Sequence, residues 1–130
     1  MAVLPKEWVE KARVFLEDSE HHLREKHYWL TCFEAQQAVE LYLKAVLIAL
    51  TGLYPFTHDL VELLDTLREL GVKVPEELYT YADALTPHYT MARYPGKKPV
   101  RYNKSLGERC LKYARAIIKW IQEEVVGGEG

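Results

Sequence analysis

A chain of 130 residues with 48% hydrophobic content fits one domain of ordinary size and is too apolar for a disordered chain. Its formal net charge is −2, so any basic patch stands out against an acidic background. No uninterrupted apolar run reaches the ~18 residues a membrane span needs, which excludes a helical membrane anchor from the reading.

Helical periodicity runs through the chain, with no sustained period-2 alternation and no hairpin dipeptide. The opening Met1-Ala2-Val3-Leu4-Pro5-Lys6-Glu7 lacks a basic segment followed by an apolar one, so no secretory signal and a cytoplasmic location are expected. A first helix is predicted after Pro5, carrying Trp8, Ala12, Phe15, Leu16, Ser19 and Leu23 on one face. His21, His22 and His27 cluster at its end without the i, i+4 spacing of a two-histidine metal site, and cationic character near a helix C-terminus accounts for them. A second helix is predicted from about Tyr28 to Leu50, ended by Thr51-Gly52; it is apolar almost all round and therefore central. A third runs from about His58 to Leu70, with Thr57 as its cap and Asp59 in its first turn. A fourth starts near Pro75-Glu76-Glu77 and is interrupted by Pro87, after which a short helix reaches about Arg93.

The loop from Tyr94 to Asn103 holds Pro95, Gly96 and Pro99 and cannot be regular. The last helix is predicted from about Ser105 to Val125, with Leu111, Ala114, Ile117, Ile118 and Ile121 on one face. The expected fold class is all-α: an antiparallel up-and-down four-helix bundle with a short extra helix, in one domain over residues 1–126. Residues 127–130 are expected to be a disordered tail. Cys32 and Cys110 are expected as buried thiols, and no cysteine pair has metal-ligand spacing. One Asn and three Gln amid abundant Lys, Arg and Glu suggest a heat-adapted source.

Two regions carry candidate chemistry. Between Ala84 and Gly107 there are five Lys/Arg and no Asp/Glu, so the local charge is placed rather than averaged. Arg93, Lys97, Lys98 and Arg101 are candidates for holding phosphate, with Lys44 assisting from the second helix, and Tyr94 and Tyr102 offer stacking faces. Two alternatives stand for Arg93: phosphate binding, or an ion pair with Asp83 or Glu40 inside the bundle. Tyr94 and Tyr102 could instead pack Pro95 and Pro99. On the second helix Gln37, Glu40 and Lys44 fall within about 60° of one another. They are either a solvated strip with an ordinary i, i+4 ion pair or the polar lining of a site. His58 with Asp59 reads as a helix cap and a packed imidazole, with nucleotide contact as the other reading.

The segment Cys32-Phe33-Glu34-Ala35-Gln36-Gln37-Ala38-Val39-Glu40-Leu41-Tyr42-Leu43-Lys44-Ala45 resembles the central-helix signature of HEPN domains. Thr57-His58-Asp59-Leu60 and the Tyr-x3-Arg-Tyr-Pro segment Tyr89–Pro95 resemble two further segments of that family, in the same order. The Arg-Tyr-Pro segment is similar to that of the branch containing the sacsin C-terminal domain. The resemblance implies a four- to five-helix bundle, a homodimer, and a nucleotide- or nucleic-acid-binding role beside a minimal nucleotidyltransferase in a toxin–antitoxin-like system. No cofactor and no metal are implied.

Many HEPN proteins are metal-independent ribonucleases with an Arg-x4–6-His motif. That motif is absent here: the window after Arg13 holds Asp18, Ser19 and Glu20, that after Arg24 holds Trp29, Leu30 and Thr31, and that after Arg68 holds Lys73, Val74 and Pro75. The resemblance therefore implies a non-catalytic binder. Two alternatives stay open. One is a ribonuclease using His88 and Arg93, although i, i+5 residues diverge by about 140° on a helix and His88 also reads as a hydrogen-bonded, partly buried residue. The other is a protein-interaction scaffold that binds no nucleotide.

Overall fold

A computed structural model describes residues 3–96 and 100–126, all helix and connecting turns, with no strand among them. Six α-helices follow in chain order: α1 (Lys6–Arg24), α2 (Tyr28–Thr51), α3 (Leu60–Glu69), α4 (Glu76–Leu85), α5 (His88–Met91) and α6 (Lys104–Trp120). A π-helical turn, Ile121–Val125, extends α6. The expected helical bundle is present. Its three long helices are α1, α2 and α6, while α3 and α4 have 10 residues each. The terminal segment 127–130, expected as a disordered tail, lies outside the described residues, as do Lys97, Lys98 and Pro99.

Local chemistry sets the ends. Pro5 holds extended backbone, and its carbonyl accepts from Val9 N–H at 3.2 Å to start α1. Gly52 takes φ 82° and donates its N–H to Ile48 O at 2.8 Å, closing α2 in the left-handed conformation that glycine adopts without a Cβ penalty. At α3 the cap is Asp59 rather than Thr57: the Asp59 carboxylate accepts from Val61 N–H at 2.9 Å. Thr57 Oγ1 instead accepts from Asp59 N–H and donates to Glu62. His58 and Asp59 are therefore outside the helix, which frees the His58 ring to turn sideways.

Helix α2 is the central rod, packed against α1, α3, α4, α5 and α6. Buried Ser19 donates to Thr31 O at 2.9 Å and pins α1 to its start. Leu43, Leu47, Leu60, Leu63, Leu64, Leu67, Leu85, Ile117 and Ile121 are fully buried between the helices. Each such side chain contributes roughly 2 kcal/mol by leaving water. Thr86 Oγ1 accepts from Leu60 N–H at 3.0 Å and donates to Ala82 O at 2.9 Å, which ties the start of α3 to the end of α4. The cysteines differ from expectation. Cys32 on α2 and Cys110 on α6 are 78 residues apart in sequence, but the packing brings their Cα atoms to 5.2 Å and they form a disulfide.

Candidate functional site

The polar stripe on α2 is interior, not a solvated strip: Glu40 and Lys44 are each 5% exposed and Gln36 is fully buried. Glu40 is its hub. One carboxylate oxygen accepts from Gln36 Nε2 at 3.1 Å, from Gln37 Nε2 at 3.4 Å and from His58 Nδ1 at 3.0 Å. The other accepts from Lys44 Nζ at 3.0 Å. Gln36 Nε2 also reaches the His58 carbonyl at 3.0 Å, so α2 holds both the backbone and the ring of His58. A buried carboxylate that accepts this many bonds is compensated for the water it has lost. Lys44 lies 5.3 Å from the Tyr54 ring centroid, which couples the α2–α3 loop to the hub.

Among the side chains bonded to Glu40, His58 is the most exposed, its side chain half in solvent. Its ring stacks on Tyr89 of α5, with centroids 3.6 Å apart and planes 13° apart. Phe33 of α2 stands beside Tyr89 at 6.1 Å. Arg93 covers this group. Its guanidinium carbon is 4.6 Å from the Tyr89 centroid, 5.1 Å from Phe33 and 5.4 Å from Tyr94. Its Nε donates to Tyr89 O at 2.8 Å, which fixes the head of this exposed residue and leaves the two terminal nitrogens as further donors. Of the two alternatives for Arg93, the ion pair with Asp83 or Glu40 does not form: Glu40 is occupied by Lys44 and His58, and Arg93 is exposed.

His88 and Arg93 are not brought together. The turn after α5 sends Arg93 outward, whereas His88 is 4% exposed and its Nδ1 bonds the Tyr102 hydroxyl at 2.6 Å. Burial pushes the His88 pKa down to about 4 and the Tyr102 phenol up to about 12, so both are neutral near pH 7. Tyr102 is half-buried with its hydroxyl engaged by His88, and Tyr94 is 58% exposed beside Arg93. Arg101 is exposed, and Asp59 serves as the α3 cap.

The sequence reading gave no site role to Phe33, Gln36 or Tyr89, although all three lie in the segments that carry the family resemblance. A signal for two of them existed. Tyr89 and Arg93 are i, i+4, and Phe33 shares a face with Gln37 and Glu40 at i, i+4 and i+7. The arrangement offers an exposed guanidinium, aromatic rings beneath it and an imidazole held by a carboxylate. Such a surface suits a phosphate next to a planar base.

The chain resembles known proteins over most of its length. The family model described as HEPN domain matches residues 5–125. A crystal structure of TT1696 from Thermus thermophilus is similar, with 33% identity, TM-score 0.82, and coverage of 91% of this chain and 95% of that one. A HEPN domain protein of Thermotoga maritima, tm0613, has 27% identity and TM-score 0.75, covering 92% of this chain and 98% of its own. ST0689, described as an archaeal HEPN homologue, shares the fold at TM-score 0.74 and 23% identity, with 92% and 96% covered. No curated protein matches the chain significantly.

Proposed function

Because the chain belongs to the HEPN domain family, we propose that it binds a nucleotide or single-stranded RNA on the ledge formed by Arg93, Tyr89, Phe33 and His58, without catalysis. The observation that carries this reading is Arg93 held over Tyr89 by its Nε bond to the Tyr89 carbonyl, with no carboxylate partner among the described residues. The terminal guanidinium nitrogens take the phosphate and the exposed Tyr94 ring stacks a base, with Arg101 adding charge along the following loop. Lys97 and Lys98 belong to the same basic run in sequence. The chain acts as a homodimer and as the partner of a minimal nucleotidyltransferase in a toxin–antitoxin-like system. It falls in the Arg-Tyr-Pro-containing branch similar to the sacsin C-terminal domain. Family membership supports these assignments. Calorimetric titration with ATP, GTP and a short RNA tests the binding. No heat at millimolar ligand would leave a scaffold role.

One observation favours a second reading, a metal-independent ribonuclease built on His58 instead of His88. His58 Nδ1 is held by the Glu40 carboxylate, its side chain is half-exposed, and Arg93 covers the same tyrosine that His58 stacks on. A base oriented by a carboxylate beside a cation is what 2′-hydroxyl attack on phosphate requires. Incubation with RNA in EDTA separates the readings. Cleavage abolished by His58→Ala selects the nuclease, and intact RNA with measurable binding selects the binder.

A further inference from the structure

Beneath α5 the fold assembles three side chains that the ledge does not use. Cys32 of α2, Cys110 of α6 and His88 of α5 are interior, at 0%, 2% and 4% exposure. One donor atom from each, two sulfurs and a ring nitrogen, lie within 4.8 Å of one another. Each comes from a different helix, which is why their spacing in sequence reveals nothing. The Tyr102 hydroxyl engages His88 Nδ1 at 2.6 Å and so sets the ring orientation. Outer partners orient metal-binding imidazoles in this way, leaving the second nitrogen to the metal. The Leu106 carbonyl oxygen, 3.7 Å from Cys32 Sγ, brings an oxygen to the same place.

We propose that reduction of the Cys32–Cys110 disulfide converts this cluster into a Cys2His site for a zinc-class divalent cation. Two thiolates and one imidazole form a donor set that Zn2+ favours, and Co2+ occupies the same geometry. Zn–S bonds of about 2.3 Å in a tetrahedral site put two sulfurs roughly 3.8 Å apart, a separation that side-chain rotation supplies once the bond between them is cut. The steps balance. A dithiol reductant gives two electrons and two protons, becomes a disulfide itself, and leaves two thiols on the protein. The cation then displaces both thiol protons to water. His88 ligates as its neutral Nε2 lone-pair tautomer, with Nδ1–H donating to the Tyr102 oxygen. An oxygen donor, water or the Leu106 carbonyl, fills the fourth position. Oxidised, the cluster joins α2 to α6 only. Metal-bound, it also fastens α5, the helix that carries Tyr89.

The full chain is reduced with a dithiol, freed of reductant under anaerobic conditions and titrated with Co2+. The expected result is one Co2+ per chain with thiolate-to-cobalt charge-transfer absorption, displaced by Zn2+. Cys110→Ser and His88→Gln should each weaken binding at least tenfold. Because a core substitution can unfold the chain, the unsubstituted protein supplies a second readout. One equivalent of Zn2+ should slow iodoacetamide alkylation of Cys32 and Cys110, followed by mass spectrometry, at least tenfold. The proposal is overturned if the reduced chain takes up no stoichiometric Co2+, if it unfolds on reduction, if the cobalt spectrum survives in folded variants, or if Zn2+ leaves the alkylation rates unchanged.

Discussion

Arg93 lies over Tyr89, with the guanidinium carbon 4.6 Å from the ring centroid and Nε bonded to the Tyr89 carbonyl at 2.8 Å. The same residue thus supplies the ring face and the carbonyl that hold the arginine, so the head is positioned before any ligand arrives. Pre-positioning of this kind lowers the ordering cost of binding.

The Arg93→Ala variant should bind nucleotide or RNA at least about tenfold more weakly, as expected for losing a charge-assisted phosphate contact worth roughly 1.5–3 kcal/mol. Its melting temperature should stay within a degree or two of the parent, since Arg93 is exposed. Arg93→Lys should restore only part of the affinity, because an ammonium lacks the planar fork that lies on Tyr89. Parallel calorimetry and thermal melts check both.

Glu40→Ala should destabilise the fold by about 3–5 kcal/mol, the cost of stranding one partner of a buried ion pair. The stranded groups are the Lys44 ammonium and the Gln36 and Gln37 amides. Urea unfolding followed by circular dichroism measures this. Equal stability of the variant and parent would contradict the hub.

Stability of the disulfide-bonded protein should fall in acid through His88. Its folded pKa is about 4 against 6.5 for the free group, so the unfolded chain binds the extra proton first. The contribution is complete above about pH 6.5 and is lost as pH falls toward 4, amounting to roughly 3 kcal/mol at most. Urea midpoints between pH 7 and 4 should slope less steeply in His88→Gln than in the parent.

Asp59→Ala removes the α3 cap and should cost about 1 kcal/mol, with Asp59→Asn costing less because asparagine also caps. Chemical unfolding distinguishes the two, and a Thr57→Ala control should be milder than Asp59→Ala, since Thr57 does not bond the first turn of α3 through its backbone.

Sequence signals located the helices well wherever a residue acts on its own backbone. Pro5 and Gly52 mark the ends of α1 and α2, and the apolar surround of α2 placed it centrally. Less legible was anything decided by approach in space. The Glu40–Lys44 pair looks the same in sequence whether it faces water or α3, and only the packing of His58 against it settles that it is buried. The two histidines at 58 and 88 carry equivalent chemistry on paper. One short turn exposes the first, and the Tyr102 hydroxyl claims the second. The Cys32–Cys110 bond depends on α6 returning alongside α2, which no local pattern announces.

A single carboxylate answering to two amides, an imidazole and an ammonium leaves these positions little freedom to drift one at a time. Evolutionary change at 36, 37, 44 and 58 should be epistatic: a replacement ruinous alone becomes tolerable once its counterpart has altered too. Lineages that lose the acid at 40 should therefore also have traded the lysine one turn later for an aliphatic residue, leaving a covarying pair as the historical trace of this network.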